Sequence, residues 1–498
     1  MGAPMPIALT VRRCVCVAFL SVALFLSWAA SDRAIAQVRI TPTAHPAPAV
    51  DPKIEARAKE WLWRLQTGRL DRSQLNARSN AAATPALIKD AAATYGPLGP
   101  ATAFSFLTSY TEVGPVTHAR YLFYSFLATF RERQSVFQLV LDGNGKIAGI
   151  FILPYTPHLS ANRLLPALRA ELLKDTNAGQ FSGAVMVAKD GKAVFDRAYG
   201  LADRGRRIPN TVGTRFRIGS MNKMFTAVAV LQLVQAGKID LKAPLGTYLT
   251  AYPNKDVSSR VTIHQLLTHT GGTGDIFGPE FDAHRLQLRT LDDYVNLYGK
   301  RGLAFKPGSR YEYSNYGYIL LGVVIEKVSG QSYYDYVREH IYDPAGMTST
   351  GSEAEDQMLA GRSVGYTAGK GTLVANTDTL PYRGTSAGGG YSTVDDLLRF
   401  ANALEYDKLL DALHTQLLTT GKVSVPSTSD NPRHYAYGFM DQEIGGTRCF
   451  GHDGGAPGMN GDLEICPAAG YVIAVLANMD PPAAELISGF ITNSLPSR

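Results

Sequence analysis

The stretch Phe216 to Gln235, FRIGSMNKMFTAVAVLQLVQ, puts a serine and a lysine at the mouth of an apolar helix. Ser220 and Lys223 are three residues apart, and on a helix that spacing stacks two side chains on one face. An amine held there can draw the proton off a hydroxyl and make it a nucleophile. The first turn of a helix also carries unpaired N–H groups and the positive end of the dipole, which favour an oxyanion forming beside Ser220. Phe225, Val228, Ala229, Leu231, Leu233 and Val234 make the helix apolar nearly all round, so the pattern predicts a core segment that holds the serine rigidly. Ser-x-x-Lys also arises by chance, with the serine as a helix cap and the lysine solvated, so the rest of the chain has to decide.

Upstream, Arg12 and Arg13 precede an apolar run from Cys14 to Ala30 and the small residues Ala34-Ile35-Ala36. This predicts a secretory signal over residues 1–36 and a periplasmic or secreted protein with no integral span after cleavage. A retained anchor is the alternative; the run is slightly short for a span and no stop-transfer flank follows. No cysteine follows the run at a lipidation position. Cleavage leaves two cysteines, Cys449 and Cys466, in an oxidising compartment, and neither has the company of a metal site. They fall on consecutive predicted strands joined by a loop from Gly451 to Asp462. Paired as a hairpin, those strands would bring the two within reach of a disulfide; two buried free thiols are the alternative. The net charge of +6 falls to +4 once Arg12, Arg13, Arg33 and Asp32 leave with the signal. No basic run stands out, which argues against nucleic acid as a partner.

With 498 residues, 45% of them hydrophobic, the chain has material for two ordinary globular domains. Residues 37–50 are rich in proline and alanine and read as a disordered leader. A small α+β domain follows over residues 51–155. It has a helix from Asp51 to Gln66, shorter helices around Ser73–Ala77 and Pro85–Tyr95, and strands at His118–Phe130, Gln134–Leu141 and Lys146–Leu153. Residues 156–161 read as a linker. The rest, 162–498, begins with a helix over Asn162–Lys174 and a hairpin turning at Asp190-Gly191. It ends in strands at Arg448–Phe450, Leu463–Cys466 and Tyr471–Leu476. First and last strands with helices between them predict one antiparallel sheet with helices on both faces.

Two further motifs join Ser220 and Lys223. Tyr313-Ser314-Asn315 follows a Pro-Gly turn and precedes an apolar helix over Tyr318–Val328, and His452-Asp453-Gly454-Gly455 follows the strand ending at Phe450. Three motifs in the order Ser-x-x-Lys, Tyr-x-Asn, His-x-Gly resemble the class C β-lactamase and D-alanyl-D-alanine peptidase family of serine hydrolases, which includes esterases and D-aminopeptidases. LLTHTGG (Leu266–Gly272), YSNYGYILLG (Tyr313–Gly322) and AGGGYSTVDDLLRF (Ala387–Phe400) agree with it. The resemblance covers roughly Asn162 to the end and implies a β-lactamase-like fold. The preceding domain resembles the cone-shaped, nuclear-transport-factor-like domains, on element order and the stretch GKIAGIFILP (Gly145–Pro154); no functional residue is carried over from it.

By the resemblance Ser220 is the nucleophile, Lys223 its activating partner and Tyr313 the proton shuttle, a role that requires the pKa of Tyr313 to fall. Asn315 would hold Lys223 or the substrate amide. The N–H groups of Ser220 and Gly455 would form the oxyanion hole, with Gly454 beside it and His452 on the opposite wall. Metal and organic cofactors have no part in this chemistry. Asp453 reads as a solvated turn residue, His269 as a satisfied structural histidine, and Gly388–Gly390 as a tight turn near the cleft. The family's lactamases and peptidases usually have Lys-Thr-Gly where this chain has His452-Asp453-Gly454. A histidine near neutral pH offers only a partial charge to a substrate carboxylate. That disfavours β-lactams and leaves esters, amides and D-amino-acid peptides as small-molecule or short-peptide substrates. Three functions follow: a serine hydrolase working through an acyl-enzyme, a non-turnover binder of cell-wall peptide or β-lactam, or an interaction protein with a vestigial hydrolase domain.

Overall fold

The structure, a computed structural model, describes residues 50–113, 120–131, 133–155, 159, 161–369, 372–376, 378–425, 433–444 and 447–495. The expected signal at 1–36, nearly all of the expected leader and most of the expected linker lie outside the described residues. The chain folds as two compact units, residues 1–155 and 156–498. No helix among the described residues is long and apolar enough to cross a membrane.

The first unit opens with α1 (Pro52–Thr67). The Asp51 side chain accepts from Lys53 N, Pro52 occupies the first turn, and Gly68 ends the helix at φ 69°, where an L side chain is strained. The helix expected at Ser73–Ala77 is instead a 3-10 turn, Arg72–Gln74, and a separate helix α2, Ala77–Ala82. Asp71 caps the turn and Asn76 caps the helix, and two side-chain caps so close together restart the chain rather than continue one helix. After α3 (Pro85–Tyr95) come β1 (Ala103–Val113), β2 (Arg120–Thr129), β3 (Gln134–Asp142) and β4 (Ile147–Pro154), an antiparallel meander in chain order. Trp61, Leu62 and Leu65 of α1 and Ala91 and Tyr95 of α3 form one buried cluster with Phe126, Phe137, Leu139 and Ile150.

The second unit begins with α4 (Ala161–Asn177), β5 (Gly183–Lys189) and β6 (Lys192–Tyr199). Two buried helices follow, α5 (Asn222–Gln235) and α6 (Asn315–Ser329). Strands β7 (Val423–Ser424), β8 (Arg433–Tyr435), β9 (Met440–Ile444), β10 (Thr447–Ala456), β11 (Met459–Cys466) and β12 (Tyr471–Ala477) come next, then α7 (Ala483–Ser494). They make one eight-stranded antiparallel sheet in the order β7-β8-β9-β10-β11-β12-β5-β6. Period-2 alternation divides its side chains. Ala184, Met186, Val472, Ala474 and Leu476 share a core with α5 and α6, whereas Val185, Val187, Ile473 and Val475 share one with Leu168 of α4 and Ile487 of α7. This is the expected antiparallel sheet between helical layers, to which three two-stranded ribbons are added among the described residues.

The strand foreseen as ending at Phe450 runs on to Ala456, and the loop foreseen from Gly451 to Asp462 is only the turn Pro457-Gly458. The glycines of this stretch mark close approach of backbones. A Cβ on Gly451 would fall 1.6 Å from Leu463 O, and one on Gly454 would fall 2.0 Å from Ile218 O. The hairpin sets Cys449 level with Cys466, and the two form a disulfide with a Cα separation of 4.2 Å. Counting back from the tight turn, Cys449 falls in a non-hydrogen-bonded pair, the closely spaced kind in an antiparallel ladder.

Candidate active site

Ser220 lies in a 3-10 turn, Gly219–Met221, that leads straight into α5. Gly219 takes φ 54°, which bends the chain so that the serine stands in front of the helix rather than within it. Lys223, in the first turn of α5, is wholly buried. Its Nζ lies 3.3 Å from Ser220 Oγ, 2.8 Å from Asn315 Oδ1 and within hydrogen-bond distance of Ala387 O. Burial pulls its pKa down to about 7, against the opposing fields of Asp275 and Asp453. Near neutral pH the amine is therefore substantially uncharged. A neutral amine has two N–H bonds and one lone pair. Asn315 Oδ1 and Ala387 O can only accept, so they take the two N–H bonds and leave the lone pair for the Ser220 hydroxyl.

Asn315 is the first residue of α6, which starts three residues before the expected Tyr318 because Ser314 caps it, its Oγ accepting from Gly317 N. Asp275 fixes Asn315 twice, Oδ1 accepting from its N at 2.8 Å and Oδ2 from its Nδ2 at 3.2 Å. That pins the amide with its oxygen toward Lys223. Asp275 closes the run Thr270–Asp275 and carries no motif of its own. The Ala387 carbonyl belongs to the backbone, which a motif read from side chains does not see. It opens the glycine turn whose Gly389 N donates to Gly219 O at 3.1 Å.

Tyr313 packs against Lys223, whose Nζ lies 4.6 Å from the ring centre. Its pKa moves opposite to the expected direction. Part of the residue reaches solvent, yet the protein crowded around it pushes the phenol well above its ordinary value, and a hydrogen bond with Ser220 only partly opposes this. Tyr313 is a protonated phenol at neutral pH.

His452 points from β10 into the same space, its ring centre 6.5 Å from that of Tyr313. It does not supply the partial charge foreseen for it. It is buried, and desolvation lowers its pKa. Its Nδ1 lies 2.5 Å from Asp453 O and its Nε2 3.0 Å from Tyr435 Oη. A carbonyl only accepts, so Nδ1 carries the proton and Nε2 accepts from the tyrosine. Tyr435, on the short strand β8, had no signal in the sequence. His269 is satisfied at one nitrogen: Ser314 N donates to Nδ1 at 3.1 Å, the ring centre lies 4.2 Å from that of Tyr313, and buried Nε2 has no partner among the described residues.

The glycines complete the wall. A Cβ on Gly454 would come within 3.0 Å of Ser220 N, and one on Gly219 within 2.9 Å of Gly455 N, so the two candidate oxyanion donors sit beside one another. Gly455 pairs with Asn460 one step before the turn, a position whose N–H points away from β11. On that side β9 stops pairing at Gly451, so this N–H faces an open edge.

The sequence model of the family described as Beta-lactamase matches residues 169–491. Penicillin-binding protein 4* of Bacillus subtilis is 30% identical over 300 residues, 56% of this chain and 64% of that protein. The chain spans between 56% and 65% of the length of such curated relatives. Among solved structures, a penicillin binding protein from Bacillus halodurans superposes with a TM-score of 0.58 at 33% identity, covering 64% of this chain and 98% of that one. A D-stereospecific amidohydrolase from Streptomyces sp. superposes with a TM-score of 0.53 at 27% identity, covering 64% and 96%.

Proposed function

The chain belongs to the β-lactamase family, and from that premise we propose that it hydrolyses an amide or ester bond through an acyl-enzyme on Ser220. The observation that carries this is the surroundings of Lys223: two groups that only accept, and the Ser220 hydroxyl opposite the remaining lone pair. Lys223 takes the proton as Ser220 Oγ attacks the carbonyl carbon, and the carbonyl oxygen becomes an oxyanion between the N–H groups of Ser220 and Gly455. Tyr313 passes its proton to the departing nitrogen or oxygen and is reprotonated from Lys223. Asn315, oriented by Asp275, keeps the lysine in place. Water then attacks the acyl-enzyme by the reverse proton route.

The amidohydrolase likeness supports amides of D-amino acids as the first substrates to try. The test has two steps. A fluorophosphonate probe is expected to label Ser220, mapped by mass spectrometry, and short esters and D-amino-acid amides are expected to release product in excess of enzyme. Labelling without product would make the chain a non-turnover binder, and an unlabelled Ser220 would leave an interaction protein. We infer export from the signal-like pattern of residues 1–36. N-terminal sequencing of secreted protein is expected to begin at Gln37, and a retained Met1 would overturn this.

A further inference from the structure

Asp453 is the residue of the strand wall that no catalytic step uses. Its side chain is half-exposed and lies 3.6 Å from His452 Nδ1. It sits two residues before Gly455, on the stretch of β10 that β9 no longer covers. Its field reaches Lys223, Tyr311, Tyr313 and His452, all groups of the cleft. Among the described residues no lysine or arginine lies within ion-pair distance of it, and its one close titratable partner, His452, is held neutral by burial. Directly across the ladder stands Asp462, which burial and the neighbouring Glu464 keep toward its protonated form. Lys223 is half-neutral near pH 7, and Arg433 acts on His452 and Tyr311 from β8.

A substrate group lying along β10 beside the scissile bond therefore meets a carboxylate that no described lysine or arginine pairs with. We propose that Asp453 sets this site for substrates bearing an ammonium group there, such as amides and esters of amino acids with a free α-amine. Substrates bearing a carboxylate in that place are turned away. The inference rests on the acyl-enzyme reading of Ser220 and names its substrate class.

The test compares labelling rates of the full chain with three fluorophosphonates alike except for a terminal ammonium, methyl or carboxylate group. The wild type is expected to react in that order, with about tenfold between the two charged probes at low salt, shrinking as salt is added. Asp453→Asn is expected to compress the spread to within about threefold, and Asp453→Lys to reverse it. Equal rates in the wild type, a preference for the carboxylate probe, or an unchanged spread in Asp453→Asn would overturn the proposal. If the variants do not fold, the wild-type order and its salt dependence still decide. Failure of the methyl probe to label Ser220 would instead sink the acyl-enzyme reading.

Discussion

The two walls of the cleft hold their groups in different ways. On the helical wall, Lys223 and Asn315 are buried, and their polar atoms are tied to Ala387, Asp275 and each other. On the strand wall, Gly454 and Gly455 offer only backbone, Gly455 is exposed, and Asp453 is half-exposed with no lysine or arginine within ion-pair distance among the described residues. Burial on the first side shifts proton affinities, bringing Lys223 down to about 7 and Tyr313 up. Openness on the second leaves room for a substrate. Proton chemistry needs the water-poor wall, and recognition needs the wall a ligand can reach.

Breaking the helical wall should give the largest effects. Ser220→Ala removes the nucleophile, and covalent labelling is expected to fall by at least about 10³-fold with melting unchanged; residual labelling at full stoichiometry would place the nucleophile elsewhere. Tyr313→Phe keeps the ring and removes the shuttled proton. Turnover is expected to drop by roughly 10² to 10⁴, and a loss under about threefold would mean that the proton bypasses the phenol.

Gly454→Ala probes the strand wall. Its new Cβ would fall 2.0 Å from Ile218 O, so β10 must back away from the Ser220 turn and carry the Gly455 N–H with it. Loss of one oxyanion donor costs roughly 10²–10³ in rate. An alanine variant acylating at the wild-type rate would show that Gly455 does not contact the oxyanion.

The pH profile separates the walls without a mutation. In the proposed mechanism only neutral Lys223 accepts the serine proton, and its pKa is lowered to about 7. Acylation should therefore rise with pH, by about tenfold between pH 6 and pH 8. A rate flat across that range would assign the base to another group. His452, held neutral by burial, contributes no rise there.

The helical wall was the legible one. A run such as MFTAVAVLQLV has no polar face, so it must be buried, and a lysine three residues after a serine shares its face whatever surrounds it. The order of elements, strands first and last with helices between them, likewise foretold the sheet. What stayed hidden was set by contacts distant in sequence. Nothing near Asp275 announces that it will orient Asn315, forty residues on, and Tyr435 meets His452 only because β8 lies two strands from β10. The glycines of β10 were no guide, because a flexible loop and close backbone approach use the same residue. The pKa of Tyr313 runs against the direction its expected role requires because desolvation, set by residues distant in the chain, outweighs the hydrogen bond with Ser220.

The smallest effect on rate should come from the far end of the strand wall. Cys449 and Cys466 close a loop with a sequence separation of 17 at the end of the hairpin away from its turn. Cys449 is six residues from Gly455, about 20 Å along an extended strand, and the intervening pairs of the ladder are complete. The bridge thus bears mainly on the unfolded chain. Constraining a loop of this size stabilises by about 3 kcal/mol in chain-entropy models. Replacing both cysteines by serine, which leaves no free thiol, is expected to lower the denaturant midpoint accordingly and to leave the labelling rate of Ser220 within about threefold. A stability change below about 1 kcal/mol would mean that the reduced hairpin is already ordered in the unfolded state. A labelling rate reduced more than tenfold in protein that still folds would mean that the ladder between Cys449 and Gly455 is too weak to hold the oxyanion donor alone, and the strand wall would then depend on a covalent tie that the helical wall does without.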